Sequence, residues 1–324
     1  MSKLKHDCLF CKAASGIEEK GMGRMRILLC GAVVAVIAAG RMAAQETTAR
    51  VPDWQTAAGG KASFEVASIH PTAPGSFSPP SFPMSADDSF MEPNGSFHSD
   101  FALLVLINFA YKQWYPPSQE RAMLAGLPDW VKSEHFTILA KAPLGTTKDQ
   151  YRLMMQDLLA DRFALKVHFE EHETPALAMV LEKPGKPGPK LIPHDQGPPC
   201  DAKPTPPIFP RICYTYAARP LPDGQWMATS RATTMDQIAA FLANAGDLTG
   251  EINRSVVDQT GLAGQWDFTL IYGSPAKPGA AEDTAPVGST LLEAMHEQLG
   301  ITLKPTKAKL RSLVIDHVEQ PSAN

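Results

Sequence analysis

Short stretches in which apolar and polar residues alternate recur along the chain. Residues 63–69 (Ser-Phe-Glu-Val-Ala-Ser-Ile) and residues 266–270 (Trp-Asp-Phe-Thr-Leu) show this pattern clearly. Alternation with a period of two predicts β-strands that bury one face. Other segments, such as residues 151–163, place apolar residues three and four positions apart, which predicts amphipathic helices. The pattern therefore predicts an α+β fold.

Three of the predicted helices are preceded by the same capping signal. Thr147, Thr234 and Thr290 are each followed three residues later by glutamine or glutamate, which is the arrangement of a capping box. A further helix follows Asp100 and is apolar nearly all round, so we expect neighbouring elements to cover several of its sides. The predicted helices comprise residues 101–111, 151–163, 235–245 and 291–299.

An aromatic loop follows the first of these helices. Its sequence is Trp-Tyr-Pro-Pro at residues 114–117. Aromatic residues in a proline-stiffened loop usually cover the edge of a hydrophobic core, and we expect this role here. A binding surface is the alternative.

The order of predicted elements in the first half of the chain returns in the second half. Phe97 matches Trp226, 129 residues further along the chain. At the end of the repeat Phe163 matches Leu299, 136 residues further along. A nearly constant offset over such a length favours duplication. We therefore expect two tandem related units, at residues 62–183 and 223–320, each with two helices packed on a small, mostly antiparallel sheet.

Each unit is predicted to end in two short strands. Residues 165–169 and 176–181 alternate, and the acidic, proline-ended segment between them has the composition of a hairpin turn. Residues 301–303 and 313–318 are expected to form the equivalent strands of the second unit.

A proline-rich stretch, residues 184–222, separates the two predicted units. It holds twelve prolines, and such a segment cannot form the interior of a sheet or a helix, so we predict a stiff linker. Cys200 and Cys213 lie within it, and in an oxidising compartment they can form a disulfide that closes a short loop. Two free thiols are the alternative.

The amino-terminal residues have the pattern of an export signal. Arg24 and Arg26 precede an uninterrupted apolar run at residues 27–40, and small residues follow it up to Ala44. This is typical of a secretory signal peptide, and the run is shorter than the roughly 20 residues of a membrane span. We expect residues 1–44 to be a leader and the chain to be exported, either periplasmic or secreted. Retention of the leader as an inner-membrane anchor is the alternative.

Charge narrows the range of partners. Residues 1–44 hold seven of the 30 basic and three of the 34 acidic residues, so the remaining chain carries a formal net charge of −8. Nucleic-acid binders usually present a basic face. We therefore expect no nucleic-acid partner, and a membrane partner only if the leader is retained. The expected partner is an unknown envelope or extracellular protein or glycan.

Motifs for known chemistry are weak. The segment from His168 to His172 (His-Phe-Glu-Glu-His) lacks the His-Glu-x-x-His order of a zinc peptidase helix. In a strand its two imidazoles would lie about 13 Å apart, too far for one zinc ion. Asp316 and His317 are neighbours in a predicted strand, so Asp316 is poorly placed to orient His317, whereas His317 and Glu319 share a face. We assign no catalytic, metal-binding or cofactor-binding residue and expect no cofactor.

Residues 256–270 contain a sequence motif to which we assign a structural role. Its characteristic residues are Asp258, Gly261, Gly264, Trp266 and Phe268. The glycines suit a turn between strands. Together with residues 64–71, 158–163 and 313–322, the stretch resembles an uncharacterised family of exported, soil-associated bacterial proteins abundant in acidobacteria. The resemblance covers residues 62–322 and implies export, a two-unit α/β build and no known catalytic residues. Some relatives carry such a unit behind a membrane-bound sensor metallopeptidase.

These observations favour an exported, non-catalytic binding or interaction module whose ligand is unidentified. Capping, glycine placement and alternation account for most of the chain, and few polar residues remain without a structural task. An extracytoplasmic hydrolase with a site assembled between the units is one alternative, which convergence of histidine, carboxylate and hydroxyl groups in a cleft would favour. A sensory domain that partners a membrane metallopeptidase is the other.

Overall fold

Helices and strands are mixed along the chain, so the predicted α+β class is confirmed. The computed structural model describes residues 52–321 except positions 74, 125, 204–207 and 274–287. The predicted leader, residues 1–44, lies outside the described residues. In the part of the chain that is described, no helix is both long enough and apolar enough to cross a membrane.

The helices include short turns as well as three longer segments. They are α1 (Asp53–Ala57), α2 (Leu103–Ala110), α3 (Pro117–Met123), α4 (Trp130–Ser133), α5 (Lys148–Arg162), α6 (Met235–Thr249) and α7 (Leu291–Ala294), with a 3-10 turn at His194–Gln196 and a π-helical turn at Met295–Leu299. The strands are β1 (Val66–Pro71), β2 (Ser96–Ala102), β3 (His135–Lys141), β4 (Lys166–Leu181), β5 (Leu191–Pro193), β6 (Thr215–Pro220), β7 (Trp226–Arg231), β8 (Val256–Asp258), β9 (Trp266–Tyr272) and β10 (Ile301–His317).

Three helices begin directly after the threonines that the capping boxes predict. At α5 the Thr147 hydroxyl accepts a hydrogen bond from the Gln150 N–H, and the Gln150 side chain accepts one from the Thr147 N–H. The same reciprocal pairs precede α6 and α7. Each pair satisfies two of the N–H groups that the start of a helix leaves without a partner.

The described strands form three small sheets. The first has the order β1-β3-β2 and is antiparallel. The second has the order β10-β4-β8, in which β10 and β4 are antiparallel and β4 and β8 are parallel. The third has the order β5-β9-β7-β6 and is antiparallel. The expectation of small, mostly antiparallel sheets is confirmed.

The prediction that each unit ends in two short strands is wrong. Residues 165–169 and 176–181 do not flank a turn, because β4 runs through the segment between them as one strand of 16 residues. Residues 301–303 and 313–318 likewise fall along β10, a strand of 17 residues that ends at His317. β4 and β10 pair with each other, antiparallel, along almost their whole length.

Charge complementarity across this pair explains the difference. Glu171 and Glu173 lie in the middle of β4, and their partners in the register of β10 are Arg311 and Lys309. Opposite charges on directly paired strands contribute roughly 0.2–1 kcal/mol per pair. A charged stretch of this kind has the composition of a turn when it is read alone, and the opposite charges of a distant segment, which include an ion pair between Lys307 and Glu173, favour its pairing as a strand.

Buried hydrophobic residues form two clusters. The first lies among α2, α5 and the first sheet and contains Phe136, and the second lies among α6, α7 and the third sheet and contains Leu242. The β4–β10 pair contributes to both, since Leu313 of β10 belongs to the first cluster and Ile301 to the second. This strand pair therefore joins the two halves of the core.

The predicted linker contains two strands of the third sheet. Within residues 184–222, β5 pairs with β9 and β6 pairs with β7. The described residues belong to one compact unit, Thr48–Asn324. Duplication of an ancestral segment, with units at residues 62–183 and 223–320, stays a prediction.

Thr147→Ala removes the hydroxyl that caps α5, and we expect the free energy of unfolding to fall by about 1 kcal/mol. Thr147 is exposed, so the change leaves core packing intact. Thr147→Ser keeps the hydroxyl and is the matched control, with most of the stability retained. Chemical denaturation measures both variants, and equal losses for alanine and serine would contradict the capping role.

Candidate functional site

An open cleft lined by aromatic side chains lies between the two core clusters. Its volume is about 460 Å³, and small-molecule sites span roughly 300–1,000 Å³. Tyr111 and Phe169 pack against the first cluster, and Tyr216 packs against the second. The aromatic residues of the lining are Trp54, Tyr111, Trp114, Phe169 and Tyr216. We refer to this cavity as the aromatic cleft.

Contacts between rings fix the walls of the aromatic cleft. Trp114 meets Tyr216 edge to face with the ring centres 5.2 Å apart, and Tyr216 lies 4.7 Å from Phe241 of α6. On the opposite wall Tyr111 meets Phe169 of β4 edge to face at 6.3 Å. Such pairs contribute about 0.5–1.5 kcal/mol beyond the burial of their surface. Four of the five lining rings, those of Tyr111, Trp114, Phe169 and Tyr216, are therefore held in place by other rings.

The aromatic loop after α2 contributes to both the cleft and the core. Trp114 lines the cleft. The Tyr115 hydroxyl accepts a hydrogen bond from the N–H of Leu313, a core residue, at 2.9 Å and donates one to Gln113 at 2.8 Å. Burial raises the pKa of Tyr115, although the Leu313 N–H opposes the shift. Successive residues of the loop therefore face different surroundings.

Several charged side chains in the cleft are matched by each other or by the rings, whereas Asp236 lies near a second carboxylate, Asp258. Lys112 Nζ lies 2.7 Å from Asp88 Oδ1 and 6.0 Å from the centre of the Trp54 ring. The Arg311 guanidinium lies 3.8 Å from the centre of the Phe169 ring. An aromatic ring attracts a cation over its face. The cleft thus offers aromatic faces and polar edges without a strong excess of one charge.

The carboxylate of Asp87 connects three segments behind one wall of the cleft. Its Oδ1 accepts a hydrogen bond from the Ser89 hydroxyl at 2.6 Å and lies 3.3 Å from Lys148 Nζ at the start of α5. Its Oδ2 accepts one from the Thr215 hydroxyl of β6 at 2.6 Å. Burial raises the pKa of Asp87, but Lys148 and the hydroxyl groups outweigh burial and hold the pKa below its ordinary value. Burial lowers the pKa of Lys148 to about 8, although Asp87 opposes that shift.

Four of the candidate residues considered in the sequence form one chain of imidazoles and carboxylates on the β4–β10 pair. His168 Nδ1 lies 2.8 Å from Asp316 Oδ1, and His168 Nε2 lies 3.0 Å from Glu170 Oε1. The other oxygen of Glu170 lies 2.6 Å from His172 Nε2. The two histidines are therefore joined through a carboxylate. Hydrogen bonds that His168 donates to Asp316 and Glu170 raise the pKa of this exposed histidine.

A register shift in β10 explains how Asp316 reaches His168. The pairing with β4 is irregular between Ile315 and His317, which leaves Asp316 without a partner in the ladder. A bulge of this kind re-aims a side chain. Asp316 thus orients His168 rather than its neighbour His317, whose Nε2 lies 2.7 Å from Glu319 Oε1.

A larger open groove, of about 770 Å³, lies beside this chain of side chains. His172 and Asp316 line it together with Tyr115 and Leu313. The groove brings histidine and carboxylate groups together, and Ser255 and Ser312 lie in its lining. The Ser255 hydroxyl is engaged as an acceptor, since it receives a hydrogen bond from Gln119 at 2.5 Å.

A second histidine–carboxylate pair lies next to the cysteines of the proline-rich stretch. Cys200 and Cys213 form a disulfide bond. His194 Nε2 lies 3.4 Å from Cys200 Sγ and 4.0 Å from Cys213 Sγ. On the other side of the ring, His194 Nδ1 lies 2.8 Å from Asp267 Oδ1. The imidazole therefore bridges a carboxylate and two sulfur atoms.

Sequence reasoning missed His194 and Asp267. Asp267 occupies a polar position between the motif residues Trp266 and Phe268, where it reads as a solvent-facing strand residue. His194 precedes Cys200 by six residues in a stretch interpreted as a linker. A histidine so close to a cysteine was the available signal, and its partner Asp267 is too distant in the chain to be paired with it by inspection.

The characteristic residues of the motif at 256–270 shape the connection from β8 to β9. They are Asp258, Gly261, Gly264, Trp266 and Phe268. The glycines have φ of +71° and +85°, a conformation that favours glycine. The aspartate accepts hydrogen bonds from the N–H and hydroxyl of Thr260, and the two aromatic residues are buried.

The fold and its cavities define an α+β protein with an open aromatic cleft between two core clusters. The sequence profile of one family matches residues 105–318, and the chain belongs to that family, described as Protein of unknown function (DUF3738). No curated protein and no solved structure matches the chain. An acidobacterial origin stays a prediction.

Asp87→Ala leaves the ammonium group of Lys148 buried without its counter-charge, and we expect the free energy of unfolding to fall by about 3–5 kcal/mol. Asp129→Ala is the control. Its carboxylate is 88% exposed beside Lys132, so its loss should leave the free energy of unfolding nearly unchanged. Denaturant titration checks both expectations, and similar losses for the two variants would show that the buried pair has no special weight.

Asp316→Asn removes the strongest cause of the raised pKa of His168, so that pKa should fall towards its ordinary value of 6.5. Because the folded-state pKa is raised, protonated His168 stabilises the fold below the unfolded pKa, and this contribution is lost as pH rises through the folded pKa. NMR titration of the imidazole signals measures the change. Glu319→Gln, beside His317, serves as the control, and an unchanged His168 midpoint in Asp316→Asn would refute the assignment.

Proposed function

We propose that the chain is an exported binding module that holds a neutral glycan in its aromatic cleft. The observation that carries the proposal is the composition of the cleft, in which five aromatic side chains share one cavity with carboxylates and amides. A sugar ring has an apolar C–H face, which packs on aromatic rings, and a rim of hydroxyl groups, which need donors and acceptors.

Polar side chains of the lining supply both kinds of partner. Asp88 and Asp236 offer carboxylate oxygens. Gln237 offers its amide NH2 group, since its oxygen accepts the capping hydrogen bond from the Thr234 N–H. Burial, reinforced by the nearby Asp258, raises the pKa of Asp236. A carboxyl group that is partly withdrawn from water is well suited to a hydroxyl ligand, since the hydrogen bond replaces lost hydration.

The balance of charge favours a neutral ligand. Asp87 is paired with Lys148, and Asp88 is paired with Lys112. Arg311 lies over an aromatic ring. A strongly charged ligand would have to displace these pairs, and a polyanion would also meet the formal charge of −8 outside the leader.

The disulfide between Cys200 and Cys213 supports export, because such bonds persist in oxidising compartments. The histidine contacts give no support to a serine nucleophile. A serine hydrolase needs an imidazole that binds the serine hydroxyl as well as a carboxylate, and among the described residues the rings of His168, His172 and His194 contact carboxylates and sulfur atoms but no serine hydroxyl. A sensory role beside a membrane metallopeptidase would begin with the same binding step.

Trp54→Ala removes one aromatic face of the cleft. Loss of the indole surface that the ligand covers should cost roughly 1.5–3 kcal/mol of binding free energy, which raises Kd by about 10-fold to 200-fold. Isothermal titration of the full-length chain with a panel of neutral and uronic-acid oligosaccharides measures the effect. Phe77→Ala, an exposed aromatic residue outside the cleft, is the control and should leave Kd unchanged.

Absence of binding by every neutral oligosaccharide, or a Kd that does not respond to Trp54→Ala, would overturn the proposal. Preference for the uronic-acid series would show that the charge argument is wrong. Cleavage of an oligosaccharide during the titration would favour the hydrolase alternative.

A further inference from the structure

The cluster of His194, Cys200 and Cys213 has the donor atoms of a metal site. One nitrogen and two sulfur atoms all lie within 4.8 Å of one another. Thiolate and imidazole groups are the ligands that zinc prefers in proteins. In the disulfide the two sulfur atoms are bonded to each other. They can bind a metal ion as thiolates only after the disulfide has been reduced.

Asp267 gives the imidazole the orientation and tautomer that a metal ligand needs. Its Oδ1 accepts a hydrogen bond from His194 Nδ1 at 2.8 Å and another from the Ala232 N–H at 2.7 Å. In the neutral ring that donates from Nδ1, the lone pair of Nε2 points towards the sulfur atoms. A carboxylate behind a metal-binding histidine is a recurring arrangement in zinc sites. Both side chains are only 13% exposed, so the pair is shielded from solvent.

The segments that carry the cysteines are also held by contacts other than the disulfide. The buried guanidinium of Arg231 donates hydrogen bonds to the carbonyl oxygens of Pro198 and Pro199 just before Cys200. It donates another to the carbonyl oxygen of Arg211, two residues before Cys213. Opening of the disulfide therefore leaves the two sulfur atoms near His194.

The distances fit a tetrahedral ion with little rearrangement. Zinc–sulfur bonds of about 2.3 Å and zinc–nitrogen bonds of about 2.0–2.1 Å place nitrogen and sulfur ligands about 3.5 Å apart and two sulfurs about 3.8 Å apart. The distances from His194 Nε2 to the two sulfur atoms are 3.4 and 4.0 Å. Only the separation of the sulfurs has to increase, and Cys200, the more exposed cysteine, is the one free to move.

We propose that reduction of the Cys200–Cys213 disulfide by a dithiol creates a zinc site from the two thiolates and His194. A thiolate of the dithiol attacks Cys200 Sγ, the bond between the cysteines breaks, and Cys213 leaves as a thiolate that takes up a proton. The second thiol of the dithiol then releases Cys200, so that the dithiol is oxidised to its disulfide and two cysteine thiols form. Zinc binding displaces the two thiol protons and leaves the fourth position to water.

Cobalt(II) is the probe for the test, because its thiolate complexes absorb in the near ultraviolet. The protein is the full-length chain with Cys8, Cys11 and Cys30 replaced by serine, which removes the other thiols. After reduction and anaerobic removal of the dithiol, we expect one equivalent of cobalt with thiolate absorption, displaced by zinc. The oxidised protein should bind none.

Three variants identify the ligands. His194→Ala should weaken cobalt binding at least 10-fold, and Asp267→Asn, which keeps an oxygen to accept from Ala232, should weaken it about 10-fold to 100-fold. His296→Ala, at a histidine paired with Glu182 elsewhere, is the control and should bind as the parent does. Circular dichroism establishes that the reduced variants are folded. A reduced protein that binds no cobalt, or that binds it equally well after His194→Ala, would overturn the proposal.

Discussion

The buried carboxylate of Asp87 is the constraint on which the arrangement of the cleft depends. It faces Lys148 of α5 and accepts a hydrogen bond from Thr215 of β6, so it ties a loop of the first half to both core clusters. Arg152 of α5 adds hydrogen bonds to the carbonyl oxygens of residues 85–87. A buried charge that loses its partner is costly, so these segments cannot separate independently. The loop that carries Asp87 and Asp88 is thereby held as a wall of the cleft.

The long pair of β4 and β10 supplies the second constraint. It contributes residues to both clusters, and it delivers Phe169 and Arg311 to the cleft between them. Because a sheet ladder fixes the register of every residue along it, the position of one cluster determines that of the other. The cleft is therefore a consequence of how two cores share one strand pair, and its aromatic rings complete the packing at that junction.

The parts that the sequence predicts well are those governed by local physics. The capping threonines mark the starts of three helices because a cap depends on residues three positions apart. The strand pair was missed because the charges of Glu171 and Glu173 find their partners in a distant segment. The loop around Asp87 is rich in proline and serine, and its burial follows from cations on α5 that no local pattern reveals. The cleft was missed for the same reason, since its lining comes from segments between Trp54 and Arg311.

Two of the histidine–carboxylate pairs, His168 with Asp316 and His194 with Asp267, show how burial separates a structural contact from potential chemistry. His168 and Asp316 lie on an exposed strand face, where solvent competes for both partners and the second ring nitrogen is taken by Glu170. His194 and Asp267 are largely shielded, and the second nitrogen faces sulfur atoms whose bonding depends on redox state. The same pair of side chains therefore serves as a solvated surface contact in one place. In the other, the second ring nitrogen lies next to the only disulfide among the described residues, which is where ligand chemistry can arise.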